Sequence, residues 1–399
     1  MTRIDRNEMT FVIPSPDSTD RHELADQIRQ VAAREGFAAC GIARAVPSEG
    51  FADLVAWIEA GYAAGMDYFA DRIDAYQHPS GVLPGAKSII VLAMPYDCGD
   101  PQPAGQSPAV SPDHLAGPTG RVARYTWRGT DYHDDIHPKL KRICQFIASR
   151  APEARARGVV DTAPLMEREV AQLAGLGWRG KNTLLLNREL GSYFFLACVL
   201  VDIELPANEA HATSHCGTCT ACLDACPTDA FVGPHVLDAS KCISYLTIES
   251  RDPVPLDLRS GIGEWLFGCD VCQEVCPWNR KPTRRATQEP ASRVMHEPET
   301  DAMRGPASSN EQERLAAGRG HLELLPLFGL SDDGFRQKFR KSPMWRTRRR
   351  GLLRNASIVL GNLAGSEALP VLRSAVRDED ALVGESAQWA IGQIEDRIS

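Results

Sequence analysis

Eight of the twelve cysteines in the chain fall between Cys216 and Cys276. The densest stretch, CGTCTACLDACP, spaces Cys216, Cys219, Cys222 and Cys226 by three, three and four and closes on a proline. Three thiolates at such short steps can wrap three irons of one iron–sulfide cube. The fourth then points away toward a second cube, and the proline turns the chain. Zinc sites more often use two separated pairs that close a single tetrahedron, so the run favours [4Fe–4S] chemistry.

A second run, GCDVCQEVCP, supplies Cys269, Cys272 and Cys276. Leu266 stands where a full run would carry another cysteine, and Cys242 in KCISYL is the nearby thiol that can replace it. The exchange rule of two-cluster ferredoxins then assigns Cys216, Cys219, Cys222 and Cys276 to one cluster and Cys226, Cys242, Cys269 and Cys272 to the other. Cys40, Cys98, Cys144 and Cys198 show no such spacing. Cys144 and Cys198 lie in apolar runs and read as small core residues.

A two-cluster carrier needs far less chain than the 215 residues before Cys216, so these clusters are expected to serve chemistry elsewhere. Two stretches could supply it: RYTWRGTDYHDDI (124–136) and DTAPLMEREVAQLAGLGWRGKNTLLLN (161–187). The second places Asp161 at a strand end, then a helix, then a glycine-rich turn bearing Lys181 and Asn182, an arrangement in which α/β sheets put ligands. The residues alone favour a helix N-cap for Asp161. They also leave a core or surface role for His133 and plain surface charge for Arg168 and Lys181.

The elements that must hold these residues are legible in the periodicity. HELADQIRQVAAREGF, FADLVAWIEAGYAAGMDYFA, HPKLKRICQFIASR and MEREVAQLAGLG read as helices, and ACGIARAV, KSIIVLAMPY, GVVDTAP and SYFFLACVLVDIEL as strands. The expected organisation is an α/β catalytic domain over 20–205, with a Pro/Gly/Ser-rich flexible loop at 97–120. A ferredoxin-like module follows over 206–285, and HEAT-like helical repeats over 320–399 after a polar linker. The repeat signal is LLRNASIVLGNL against VGESAQWAIGQI, which aligns Ala356, Leu360 and Gly361 with Ala387, Ile391 and Gly392. A net charge of −8 argues against indiscriminate nucleic-acid binding but leaves room for a local basic patch. No apolar run of membrane-spanning length and no export leader is evident, so a soluble cytoplasmic protein is expected.

Taken in order, GTDYH, DTAPLMERE, AGLGWRGKN, GSYFFLACVL, the two cysteine runs and the helical tail resemble the epoxyqueuosine reductases, relatives of the reductive dehalogenases. The resemblance runs from about residue 20 to the C-terminus. It implies reduction of epoxyqueuosine to queuosine at the wobble position of tRNA, the last step of queuosine biosynthesis, with cobalamin and two [4Fe–4S] clusters as cofactors. It implies Asp161 as proton donor, since loss of the epoxide oxygen takes two electrons and two protons and releases water. An external low-potential electron donor and a monomeric protein go with it.

On the same motifs, cobalamin contacts are expected from Arg124, Tyr132, His133, Asp161, Arg168, Lys181, Asn182, Ser244 and Asp270. The D-x-H-x-x-G pattern that supplies a lower histidine ligand is incomplete, because Ile136 stands at the glycine position. Base-off cobalamin without that ligand is therefore expected. The family often has arginine where Tyr76 stands, and Arg72 is the expected substitute. For tRNA, residues 335–354 carry nine Lys or Arg and no acid, with Phe339 and Trp345 interleaved. Arg346, Arg348, Arg349 and Arg350 are the backbone candidates, and an aromatic is the candidate for base stacking. A cobalamin-dependent dehalogenase and a non-enzymatic ferredoxin-like adaptor are the alternatives. The missing export signal and the basic patch oppose the first, and the adaptor predicts no corrin binding.

Overall fold

The computed structural model describes residues 18–96, 117–280 and 320–399. Most of the expected flexible loop, Cys98 and most of the polar linker lie outside the described residues.

The N-terminal half is built on four strands, Ala39–Arg44, Ser88–Pro95, Phe194–Val201 and Ala156–Val159, in that spatial order. Along Ser88–Pro95, Ile90 and Leu92 face one core while Ile89, Val91 and Ala93 face another. The sheet is thus buried on both sides, which is why its strands read as unbroken apolar runs. Helices Ser18–Arg34 and Tyr132–Arg150 cover the first face, through Ile28 and Val31 and through Ile136, Leu140, Ile143 and Ile147. Helix Glu167–Leu173 covers the other through Val170 and Ala171. Every ladder in this sheet is antiparallel. An α/β pattern with a parallel sheet leaves the same two-sided signature, so the sequence does not separate the two arrangements.

Cys198 is fully buried in its strand and Cys144 is half-buried beside the first core, both as packing residues. The helix expected over residues 51–70 is broken. Phe51–Glu59 ends where Gly61 takes φ +77°, a left-handed residue that stops a helix, and only the short turn Tyr68–Asp71 remains of the rest.

A second sheet joins three distant parts of the chain. Thr119–Val122 lies between Trp265–Phe267, parallel to it, and His321–Glu323, antiparallel. Val122, Leu266, Phe267 and Leu324 enter one core with the helices Asp332–Phe339, Arg348–Leu363, Leu369–Ala375 and Ala381–Ile398. Ala356, Leu360, Ala387 and Ile391 meet there. The two aligned glycines are not equivalent, since a side chain at Gly361 would strike Trp389 whereas Gly392 faces open space. The C-terminal region is therefore helical and docked on the cysteine module. Phe339 is a core residue of this region, which overturns its expected use on an unpaired base. Trp345 is half-buried against Phe335.

Candidate active site and cysteine centres

Cys216, Cys219, Cys222 and Cys276 line one cavity with Lys181 and Trp278. Cys226, Cys242, Cys269 and Cys272 form the other group. The Cys269 thiol lies within electrostatic reach of Cys242 and Cys226, and that of Cys272 within reach of Cys269 and Cys242. Among the described residues, no three His, Cys, Asp or Glu side chains converge on a single metal ion. Burial pushes the Cys242, Cys269 and Cys272 thiols up, so thiolates there need the positive charge of iron beside them.

Backbone N–H groups already face the sulfurs. Ser244 and Tyr245 serve Cys242, Val271 serves Cys269, Trp278 and Asn279 serve Cys276, and the Ala230 N–H donates to Cys226 Sγ at 3.4 Å. Such donors are a standard means of tuning a cluster potential. The donor set therefore fits two iron–sulfur clusters.

Four expected corrin residues sit with the cysteines. The Lys181 ammonium donates to the Gly217 and Cys219 carbonyls at 2.7 and 2.9 Å. Asn182 is buried and its amide nitrogen lies 3.4 Å from the Cys272 carbonyl. Asp270 is buried. One of its oxygens accepts the Arg124 N–H at 2.7 Å and the other accepts from Gln273 at 3.1 Å, and burial pushes its carboxyl up to about 6. Ser244 presents its N–H to Cys242 and its carbonyl to Thr247. The glycine-rich turn before Lys181 is required by packing. Gly175 takes φ +77°, and any side chain at Gly177 would collide with the Leu186 carbonyl.

The other expected residues converge around Asp161. Strand Ala156–Val159 ends, Val160 stays buried, and Asp161 turns out to solvent with φ +61°. Asp161 is not a helix N-cap, because helix Glu167–Leu173 begins six residues later with Met166 at its cap. Tyr132 donates its hydroxyl to Asp161 Oδ2 at 2.7 Å. The Tyr132 ring stacks between His133 and Phe195, with centroids 4.3 and 4.4 Å away. His133 Nδ1 lies 2.9 Å from both Asp131 Oδ1 and an Arg346 nitrogen, while its buried Nε2 has no hydrogen-bond partner. Arg168 donates to the Thr183 carbonyl at 3.1 Å. Arg124 holds its guanidinium over the Tyr193 ring at 4.5 Å. Tyr76 is buried, and Arg72 instead reaches the Thr162 carbonyl at 3.4 Å, beside Asp161.

Tyr68, Tyr76, Tyr125 and Tyr132 all lie within electrostatic reach of Asp161, and burial pushes each phenol up. Tyr125 feels Asp270 as well as Asp161, and so links the Asp161 wall to the Cys269 side.

The four tRNA candidates separate. Arg349 donates to both Asp378 oxygens, at 3.1 and 2.7 Å, and to the Leu330 carbonyl. Arg346 belongs to the Asp161 wall, its guanidinium 5.2 Å from the Tyr132 ring centre. Arg348 and Arg350 are exposed, the first lying over Trp345.

Sequence reasoning missed two carboxylates in MERE. Glu167 Oε1 accepts the Asp161 N–H at 3.1 Å. Glu169 accepts the Glu49 and Gly50 N–H groups at 2.8 and 2.9 Å and so holds the start of helix Phe51–Glu59. Acids in a first helical turn read as dipole partners, which hid both roles. Burial, then the nearby Asp161 charge, push the Glu167 carboxyl up to about 8.

A family model described as "Epoxyqueuosine reductase QueG, DUF1730" matches residues 77–162, and one described as "4Fe-4S double cluster binding domain" matches residues 215–279. The chain is 38% identical over 376 residues to the epoxyqueuosine reductase of Pseudomonas aeruginosa, a match covering 93% of this chain and 95% of that protein. It is 36% identical over 377 residues to that of Escherichia coli K12, covering 94% and 90%. A solved epoxyqueuosine reductase with a tRNA-Tyr epoxyqueuosine-modified stem loop superposes with a TM-score of 0.76 at 30% identity, over 93% of this chain and 90% of that one. The Bacillus subtilis enzyme, with its aspartate catalytic loop swung out of the active site, superposes equally well at 29% identity over the same shares.

Proposed function

The chain belongs to the epoxyqueuosine reductase family, and from that premise we propose that it removes the epoxide oxygen of epoxyqueuosine in tRNA, at the wobble position, to give queuosine. The reaction takes two electrons and two protons, forms a carbon–carbon double bond and releases water. The observation that carries the reading is Asp161 itself. It is a solvent-facing carboxyl at a strained strand end, aimed by Tyr132 and walled by tyrosines. Asp161 protonates the departing oxygen, so that it leaves as hydroxyl rather than as alkoxide. Tyr132 fixes the carboxyl orientation, and the aromatic wall keeps bulk water from the breaking bond.

Two [4Fe–4S] clusters are assigned to Cys216, Cys219, Cys222 and Cys276 and to Cys226, Cys242, Cys269 and Cys272. Cobalamin is assigned to the aromatic wall beside Asp161. The fit rests on aromatic walls suited to a flat macrocycle and on two buried polar atoms without hydrogen-bond partners, His133 Nε2 and Tyr193 Oη, suited to its amide fringe. Arg124, Tyr132, His133, Asp161 and Arg168 are its side-chain contacts. Lys181, Asn182, Ser244 and Asp270 are its contacts on the cluster side, where Lys181 and Asn182 also reach carbonyls of the cysteine loops. Cobalamin held there would supply a low-potential centre for opening the C–O bond, and clusters held by the two cysteine groups would relay single electrons from an external donor. The second cysteine group lies nearer the reaction, through Tyr125 and Asp270.

The tRNA backbone is taken by Arg348 and Arg350, the outward members of the basic run. The expected limits, 20–205, 206–285 and 320–399, describe catalytic, cluster and HEAT-like segments of one cytoplasmic monomer.

The test is anaerobic reduction with cobalamin and epoxyqueuosine-containing tRNA, read by nucleoside mass spectrometry. Loss of one oxygen is expected. Asp161→Ala is expected to keep both clusters and the corrin and to lose turnover, and full turnover by that variant rejects the role given to Asp161.

A further inference from the structure

Asp161 occupies a backbone position that its residue type disfavours. With φ +61° and the Thr162 N–H donated back to the Val160 carbonyl at 2.6 Å, it sits at the centre of a γ-type turn, a rare conformation for a residue with a side chain. The chain that follows makes only short-range contacts of the same kind, Leu165 N–H to the Ala163 carbonyl and Glu167 N–H to the Leu165 carbonyl. No strand or helix ladder holds Asp161 and Thr162, both exposed, although Val160 and Ala163 on either side are buried.

Three contacts from outside the turn hold this exposed pair. Tyr132 takes the Asp161 side chain, Arg72 reaches the Thr162 carbonyl, and Glu167 takes the Asp161 amide. The Asp161–Glu167 contact is the one that fixes the strained backbone itself. It reaches back six residues from the first turn of helix Glu167–Leu173, whose Val170 and Ala171 are packed in the core. We infer that Glu167 is a positioning residue, a latch whose carboxyl group, by accepting the Asp161 N–H, holds the strained turn and keeps the proton-donating side chain at Tyr132.

A second acid beside Asp161 is costly if both are charged, and a hydroxyl or amide would cap an N–H without that repulsion. The surroundings of Glu167 resolve the conflict. Asp161 faces it, with Arg168 beside it and Tyr76 and the Cys198 thiol within reach, and burial outweighs the one cation. Burial and then the Asp161 charge push its carboxyl up to about 8, against the lowering pull of the Asp161 N–H and Arg168, and this favours acceptance of the amide through a neutral C=O. Glutamine reproduces that geometry, whereas alanine removes it.

The inference rests on the role proposed for Asp161, so its test has a readout that does not. Hydrogen–deuterium exchange is followed over residues 158–168 of the cluster-loaded protein, in wild type, Glu167→Ala and Glu167→Gln. The latch predicts exchange about tenfold faster at Asp161 in the alanine variant and protection restored by glutamine. In turnover, kcat falls for alanine with KM for tRNA little changed, and glutamine recovers it. Unchanged exchange in the alanine variant overturns the latch. So does a glutamine variant that exchanges about tenfold faster than wild type at Asp161, a result readable even if the alanine protein fails to fold. If exchange responds but kcat does not, the latch stands and the proton-donor role of Asp161 is what fails.

Discussion

Arg354→Met tests whether the C-terminal helices are a working part of the cluster module. Arg354 is 1% exposed in helix Arg348–Leu363. Its guanidinium donates to the carbonyls of Leu246, Ser250 and Asp252, and its Nε to Asn355. Asn355 in turn donates to the Thr247 and Leu266 carbonyls. These contacts clamp helix Ile243–Ile248, which begins at Cys242. Methionine fills similar space and donates nothing. Three orphaned carbonyls at roughly 2 kcal/mol each set a gross loss near 6 kcal/mol. Against this, burial and the neighbouring Arg251 and Arg350 hold the guanidinium down at about 10, and removing that strained charge returns about 3 kcal/mol. The net expectation is a loss of about 3 kcal/mol, a factor of roughly 150 in the local equilibrium. It should appear as faster exchange over residues 243–254 and as selective loss of the second cluster, measured by iron content and by the spectrum of the reduced protein. The first cluster should survive, since none of its cysteines touches this clamp. Full iron content with unchanged exchange would refute the reasoning.

Cys226→Ala should abolish the second cluster and Cys276→Ala the first, although each residue closes the other run; spectra of the reduced variants decide the assignment. Arg348→Ala with Arg350→Ala should make the log–log salt dependence of tRNA binding shallower by about 1.5 and leave thermal stability near wild type. Arg349→Ala should instead destabilise the fold by about 2 kcal/mol, because it breaks the paired Asp378 contact, and should leave the salt slope almost unchanged. Glu167 supplies a pH test. Its native carboxyl keeps a proton to about pH 8, while in the unfolded chain it loses that proton near 4.5. The native state therefore binds more protons between those values, and this residue's contribution to stability falls as pH rises through that window. Glu167→Gln should flatten that fall in melting temperature, and an unchanged pH profile would count against the raised carboxyl.

The cysteine groups were legible because cluster chemistry imposes short spacings on a single stretch of chain, and local spacing is what a sequence displays directly. The strands and most helices were legible for the same reason, since periods of two and of about three and a half are local. What escaped depends on partners far away in sequence. The antiparallel pairing of the central sheet leaves no local mark once both faces are buried. The turn at Asp161 escaped because a positive φ is signalled by glycine or asparagine, and here an aspartate is held there by Tyr132 and Glu167.

The basic run shows the same limit in another form. Nine cations without an acid look like one surface when read along the chain. Folding distributes them among duties set by what they meet. Arg349 finds Asp378, Arg346 finds Asp131 and the Tyr132 ring, and Arg354 finds three carbonyls of the second cysteine loop. A charge whose donors are already spent on protein has little left for a phosphate. Arg348 and Arg350 stay exposed, Arg350 with a long 3.9 Å contact to Asp380, so the proposed electrostatic share of tRNA binding falls to this pair. Arg346 and Arg354 tie that surface physically to the Asp161 wall and to the Cys242 loop. A tRNA bound at the exposed pair, as proposed, would rest on the same helix whose Arg354 holds the carbonyls that follow Cys242.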